Sequence, residues 1–190
     1  MFVGVVPPVE VIEHLAGFVE PRREHPDDDL RWAAEENWHI TLAFLGEVPD
    51  RKADELEERL ERAARRRPAM RLRLSGGGAF PNAAEARVLW TGVQGDRTAL
   101  SRLATGTRAS ANRAGIEVAG RRFSPHVTLA RLRRPVDVTR WLRIFEGYDG
   151  PAWTAESIQL IASRLGQGPN RGSAYDTVGE WALLGSPTLN

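Results

Sequence analysis

The stretch Asn37-Trp38-His39-Ile40-Thr41-Leu42-Ala43-Phe44-Leu45-Gly46 governs the interpretation of the whole chain, because its centre recurs in Phe123-Ser124-Pro125-His126-Val127-Thr128-Leu129-Ala130-Arg131-Leu132. Both copies run His, β-branched aliphatic, Thr, Leu, Ala. The chain has 190 residues but only four histidines and ten threonines, so chance is a poor source for two such strings. Dense Ile, Thr, Leu, Phe and Val between turn residues predict a strand for each copy, with Gly46 closing the first and Ser124-Pro125 opening the second. Side chains alternate on a strand, so His39 and Thr41 share one face and His126 and Thr128 another, while Ile40, Leu42, Val127 and Leu129 turn to a core. By the same parity Phe44 belongs with the core face and is expected to be packing.

If the two strands are neighbours, a cleft between them holds two imidazoles and two hydroxyls. Histidine exchanges protons near neutral pH, so one ring can serve as base while the other serves as acid. Cleavage of a phosphoester needs both, and hydroxyls can donate to the non-bridging oxygens where charge grows. This scheme requires no metal and no cofactor. Near symmetry of the two motifs leaves the choice of acid and base open.

The length allows one domain, or two small lobes on a shared core. No apolar run is long enough for a membrane span, and the start lacks a signal-peptide pattern. Without cysteine, disulfides, thiolate nucleophiles and cysteine-based zinc sites are excluded. A cytoplasmic protein is expected. The net charge of +1 gives no global sign of nucleic-acid binding, yet Arg121, Arg122, Arg131, Arg133 and Arg134 flank the second motif without an intervening acid. A phosphate is therefore expected to be drawn to that side. His14 reads as an ordinary helix residue. His25 with Asp27, Asp28 and Asp29 is the only conceivable metal group and reads as a solvated loop.

Elsewhere, helical spacing is expected from Val9 to Val19, from Asp50 to about Arg67, from Asp96 or Thr98 to Arg113, and from Val138 to Phe145. Strands are expected at residues 2–6, 71–74, 87–93, 155–163 and 175–184. Ser75-Gly76-Gly77-Gly78 lacks the Lys and Ser/Thr of a phosphate loop and reads as a flexible connection. Arg65-Arg66-Arg67 before Pro68 reads as a solvated helix end. The Gly-linked strand pairs and the repeat favour an α+β fold over a parallel sheet.

The paired His-x-Thr motifs resemble the two-histidine (2H) phosphoesterase superfamily, specifically the bacterial and archaeal RNA 2',3'-cyclic phosphodiesterases once described as 2'-5' RNA ligases. Met1 to Pro7 is similar to that family's first strand, Glu36 to Val48 to its first motif block, and Arg122 to Arg131 to its second. Ile158 to Ser163 and Tyr175 to Leu184 resemble its closing strands.

The resemblance implies a single domain over 1–190, bilobal with a pseudo-twofold pair of intertwined lobes, antiparallel sheets around a central cleft and helices outside. It implies hydrolysis of RNA 2',3'-cyclic phosphate ends to 2'-phosphomonoesters by a monomer without cofactor. His39 would be the proton donor to the departing ribose oxygen and His126 the acceptor that activates water. Thr41 and Thr128 would hold phosphate oxygens, with Arg131 and Arg122 as further phosphate contacts. Trp38 and Phe44 are candidates for stacking on a base, with the parity of Phe44 favouring packing instead. Two other readings stand beside this one: an RNA-end binding module without turnover, and a related enzyme acting on small cyclic nucleotides, such as ADP-ribose 1'',2''-cyclic phosphate, or on 2'-5' linkages.

Overall fold

The computed structural model describes residues 1–23, 29–120, 122–164 and 174–186. Along the chain it contains β1 (Phe2–Val5), α1 (Val9–Arg23), β2 (Leu30–Trp32), β3 (Ile40–Phe44), α2 (Ala53–Arg65), β4 (Met70–Phe80), β5 (Ala86–Gly95), α3 (Arg97–Arg113), β6 (His126–Val136), α4 (Thr139–Glu146), β7 (Asp149–Ala155), β8 (Ser157–Arg164) and β9 (Ala174–Ala182). No described helix is long and apolar enough to cross a membrane.

The strands form one nine-stranded sheet in the order β7-β4-β5-β6-β3-β1-β8-β9, with β2 also on β6. Each described pairing is antiparallel, so the α+β expectation holds and the parallel alternative is set aside. The two halves of the sheet meet where β3 touches β6, and the registered contact there is a single pair, Ile40 opposite Val127. Further along, β2 takes the same edge of β6 through Leu30–Leu132, Arg31–Arg131 and Trp32–Ala130. The motif strands therefore share one registered pair, and further along it is β2 rather than β3 that lies on β6.

Helix packing follows the apolar stripes. Leu56, Leu60 and Ala64 of α2 are fully buried, as are Leu100, Leu103 and Ala104 of α3. Helix α3 lies against α2 and β3, and α2 lies against β9. On the other half, α4 lies against β4 and α1 against β7. The surface of α2 carries Glu55–Arg59, Glu58–Arg62 and Glu61–Arg65 pairs one helical turn apart, each a small stabilising contact in water.

Three elements differ from the sequence expectation, the first being β2, a three-residue strand where none is expected. The triple-glycine segment is not a connection but the interior of β4, paired with β5 through Gly77–Thr91 and Gly78–Trp90. Its glycines make room for large rings: a Cβ on Gly77 would lie 2.4 Å from the Cβ of Phe145, and one on Gly78 would lie 2.1 Å from the ring of Trp90. Strand β7 forms between the helix expected to end at Phe145 and the strand expected from residue 155. It stands at the end of the sheet order, and an edge strand tolerates Pro151 because one side of its backbone has no ladder bond to donate.

Candidate active site

His39 stands immediately before β3 and His126 is the first residue of β6, and both are locked in the same way. The Nδ1–H of His39 donates to the carbonyl of Asn37 at 2.7 Å, and that of His126 donates to the carbonyl of Ser124 at 2.7 Å. A carbonyl only accepts, so Nδ1 carries the proton in both rings and Nε2 of the neutral imidazole keeps a free lone pair. Two residues apart on an extended backbone is the separation that lets the ring reach back to that oxygen. Ile40 and Val127, directly opposite across β3 and β6, are both fully buried. On either side of that pair, alternation along each extended strand turns His39 and Thr41, and His126 and Thr128, to the face opposite the buried pair.

Parity then changes, at the same place in both motifs. Val3 pairs with Ala43 and Gly4 with Thr41, which leaves Leu42 as an extra residue. Likewise Leu89 pairs with Ala130 and Trp90 with Thr128, which leaves Leu129 extra. A bulge of this kind inverts the alternation beyond it. Ala43 and Ala130 are consequently buried beside their leucines, while the next residues emerge: Phe44 is 65% exposed and Arg131 is exposed. Phe44 is thus not core packing, contrary to the uninterrupted-strand reading. Equivalent positions of the two motifs present an aromatic ring on one side and a cation on the other.

The imidazoles sit in aromatic collars. Phe2 stacks on His39 with centroids 4.3 Å apart, and Tyr175 meets the same histidine edge-on at 5.4 Å. Around His126 stand Phe80 at 5.0 Å and Trp90 at 5.9 Å. Sequence reasoning did not place these four rings at the site. A signal was available in Phe2-Val3-Gly4-Val5 and Trp90-Thr91-Gly92-Val93, a second internal repeat of aromatic, any residue, Gly, Val that lies on the strands flanking the two motifs.

Of the arginines expected here, Arg131 lowers the proton affinity of both imidazoles by its charge. Arg122 is exposed and is not among the charges acting on either ring. Arg121 lies outside the described residues. Arg134 is held by Asp29, whose carboxylate accepts from Nη2 at 2.8 Å, so it anchors the start of β2. Trp38 is 1% exposed and belongs to the core, where no base can reach it. His25, Asp27 and Asp28 lie outside the described residues, and no metal-ligating group of three gathers among those described.

Burial pushes His39 down to about 4, opposed by its bond to Asn37 and assisted by the charges of His126 and Arg131. His126 is also lowered, chiefly by desolvation and then by Arg131, against its bond to Ser124. Free of ligand, both rings are neutral at pH 7. A histidine whose folded pKa lies below its unfolded value of about 6.5 binds fewer protons when folded across that window, so stability is full above about 6.5 and falls as pH drops toward about 4. The contribution of His39 to that loss is about 3 kcal/mol. Urea unfolding at about pH 7.5 and about pH 4.5 should show the wild type losing about 2 to 3 kcal/mol more than His39→Gln. Equal losses would remove His39 as the acid-sensitive group.

Two His-x-Thr strands joined at one residue pair in a curled antiparallel sheet define a two-histidine phosphoesterase. The family model described as LigT-like phosphoesterase matches residues 5–90 and 93–170, and the chain belongs to that family. A relative from Escherichia coli K12, called RNA 2',3'-cyclic phosphodiesterase, is 30% identical over 184 residues, 96% of each chain. One of the same name from Aquifex aeolicus is 30% identical over 158 residues, 82% of each. A third, from Aeropyrum pernix, reaches 38% identity over 109 residues, 57% of this chain and 61% of the relative. The chain thus spans less than two thirds of that protein, and likewise 62% of the Thermotoga maritima relative. Among solved structures, a Thermus thermophilus protein superposes with a TM-score of 0.76 at 29% identity over 98% of both chains. Escherichia coli LigT complexed with 3'-AMP gives 0.73 at 30% identity over 96% of both.

Proposed function

We propose that residues 1–190 act as one phosphoesterase domain that hydrolyses RNA 2',3'-cyclic phosphate ends to 2'-phosphomonoesters, with no metal in the chemical step. The observation that carries this reading is the matched pair of imidazoles, each with Nδ1–H tied to a backbone carbonyl and Nε2 left free. His126 Nε2 takes a proton from water as the water oxygen bonds to phosphorus. The bond from phosphorus to the 3' oxygen breaks, and His39 Nε2–H delivers the proton to that oxygen. Thr41 and Thr128 donate to the non-bridging oxygens, and Arg131 balances their charge.

An acid must carry its proton, and His39 in the free site does not at neutral pH. The bound phosphate supplies the missing proton affinity, because a nearby negative charge favours the imidazolium. The asymmetry beyond the bulges suits the orientation: Arg131 faces the phosphate side, and the exposed ring of Phe44, beside Phe2 at 6.3 Å, offers a face to a base. The family membership and the names of its relatives support the reaction class.

An RNA ending in a 2',3'-cyclic phosphate, incubated with the protein and EDTA, should yield a 2'-phosphate. A 3'-phosphate product would reverse the leaving group, and turnover that stops with EDTA would mean a metal-dependent reaction. A small-nucleotide substrate is the second reading, favoured by the solved complex of LigT with the mononucleotide 3'-AMP. Comparing kcat/KM for a cyclic mononucleotide and for an oligonucleotide with the same end separates the two.

A further inference from the structure

Away from the two motifs, α2 and α3 enclose a trough of about 400 Å³ whose wall holds Arg59, Arg62, Arg66, Arg67 and Arg113. Its remaining lining is small or apolar, with Ala63, Leu103, Thr105, Gly106, Ala109 and Ser110, and among the described residues no acid or aromatic residue lines it. The helices run antiparallel there. Ser110 Oγ donates to the carbonyl of Arg59 at 3.4 Å towards one end. Towards the other, Gly106 leaves room for Arg67, whose Nη2 lies 3.5 Å from where a Cβ would stand.

The acids of α2 neutralise two arginines of this wall and leave three without an acid. Glu55 and Glu58 hold Arg59 and Arg62 along the helix surface, and Glu61 holds Arg65, which stays outside the trough. Arg66, Arg67 and Arg113 form no ion pair among the described residues. A helix C-terminus attracts cations within its own last turn. That effect accounts for Arg65 and Arg66. It does not gather the mid-helix Arg59 and Arg62 with Arg113 of a second helix around one acid-free hollow, so the solvated helix end expected from Arg65-Arg66-Arg67 is only part of the account. Clustered guanidiniums repel one another until an anion lies between them, and their planar forks match phosphate oxygens.

We propose that this trough binds successive phosphates of an RNA strand, separately from the end that reacts. Recognition is of backbone, since nothing aromatic is present to stack a base. The trough lies between α2 and α3, of which α3 packs on β3, and none of its lining residues belongs to the two motifs. The choice of RNA over another polyphosphate rests on the function proposed above; the anion chemistry does not.

The test uses a single-stranded RNA with a 3'-hydroxyl end, which the active site cannot hydrolyse. Replacing Arg66, Arg67 and Arg113 together by Gln should weaken binding of this RNA at least about 10-fold at low salt and reduce the salt slope by about 2, at roughly 0.7 per phosphate contact. Hydrolysis of a cyclic mononucleotide should stay within about 2-fold of wild type, showing that the fold is intact and reporting on the proposed reaction independently. Should the triple variant not fold, Arg113→Glu, a single change at an exposed position, must lower RNA affinity in the same direction. Unchanged affinity and slope would overturn the proposal. Tripolyphosphate binding that is lost in the variant, without any RNA binding by the wild type, would assign the trough to free polyphosphate and overturn the RNA assignment.

Discussion

His39→Ala and His126→Ala are each expected to lower hydrolysis of a 2',3'-cyclic phosphate by at least about 100-fold, equivalent to about 2.7 kcal/mol of barrier. Both rings have one nitrogen committed to a backbone carbonyl, so each has a single nitrogen available for proton transfer. In the proposed mechanism, removing the acid leaves the ribose oxygen to depart as an alkoxide, and removing the base leaves the attacking water to lose its proton unaided. Water can stand in poorly for either, because neither collar of aromatic rings offers another group that titrates near neutral pH. The two losses should not add: once one proton transfer fails, the concerted step has already lost its advantage, and the double variant should be close to the slower single variant. Circular dichroism and unfolding curves on the same preparations separate lost chemistry from lost fold. A folded single variant with near-wild-type turnover would end the paired-histidine mechanism.

Phe2→Ala carries the second large effect, expected at about 3 to 5 kcal/mol of destabilisation. Phe2 is 3% exposed. Its ring stacks on His39 and meets Tyr175 edge-on at 5.1 Å, so the substitution removes both a buried ring and the aromatic contacts, worth about 0.5 to 1.5 kcal/mol beyond area. Water admitted into the space reverses the main cause of the lowered His39 pKa, which is desolvation. The pKa of His39, followed by NMR, should therefore rise from about 4 towards its ordinary value. Phe2→Leu should recover most of the stability while leaving the stack broken. If the His39 pKa stays low in Phe2→Ala, its desolvation comes from Tyr175 and the sheet rather than from Phe2.

Much of this site can be read without coordinates. The repeated His-x-Thr string identifies the four side chains, strand parity turns them away from the core, and Ile40 and Val127 are buried as alternation requires. Composition excludes cysteine chemistry outright. Parity fails at Leu42 and Leu129, because a bulge depends on how a strand registers against its neighbour and leaves no mark in the strand's own hydrophobic pattern. For that reason Phe44 reads as core and is exposed. Trp38 shares the parity of Ile40 and is buried as alternation requires, so what fails is its candidacy for stacking on a base. The triple glycine looks like a loop until Trp90 and Phe145 are seen to occupy the space that its missing side chains leave.

Residue type and local period alone are enough to single out the candidate imidazoles and hydroxyls, the strand-and-helix alternation and the lack of cysteine in these 190 residues. Packing of the complete chain was needed to establish that β3 and β6 meet at Ile40 and Val127, that rings from β1, β4, β5 and β9 enclose the histidines, and that arginines of two helices share one trough. Proximity between residues far apart in the chain is set by filling the whole core at once, and no local periodicity encodes it.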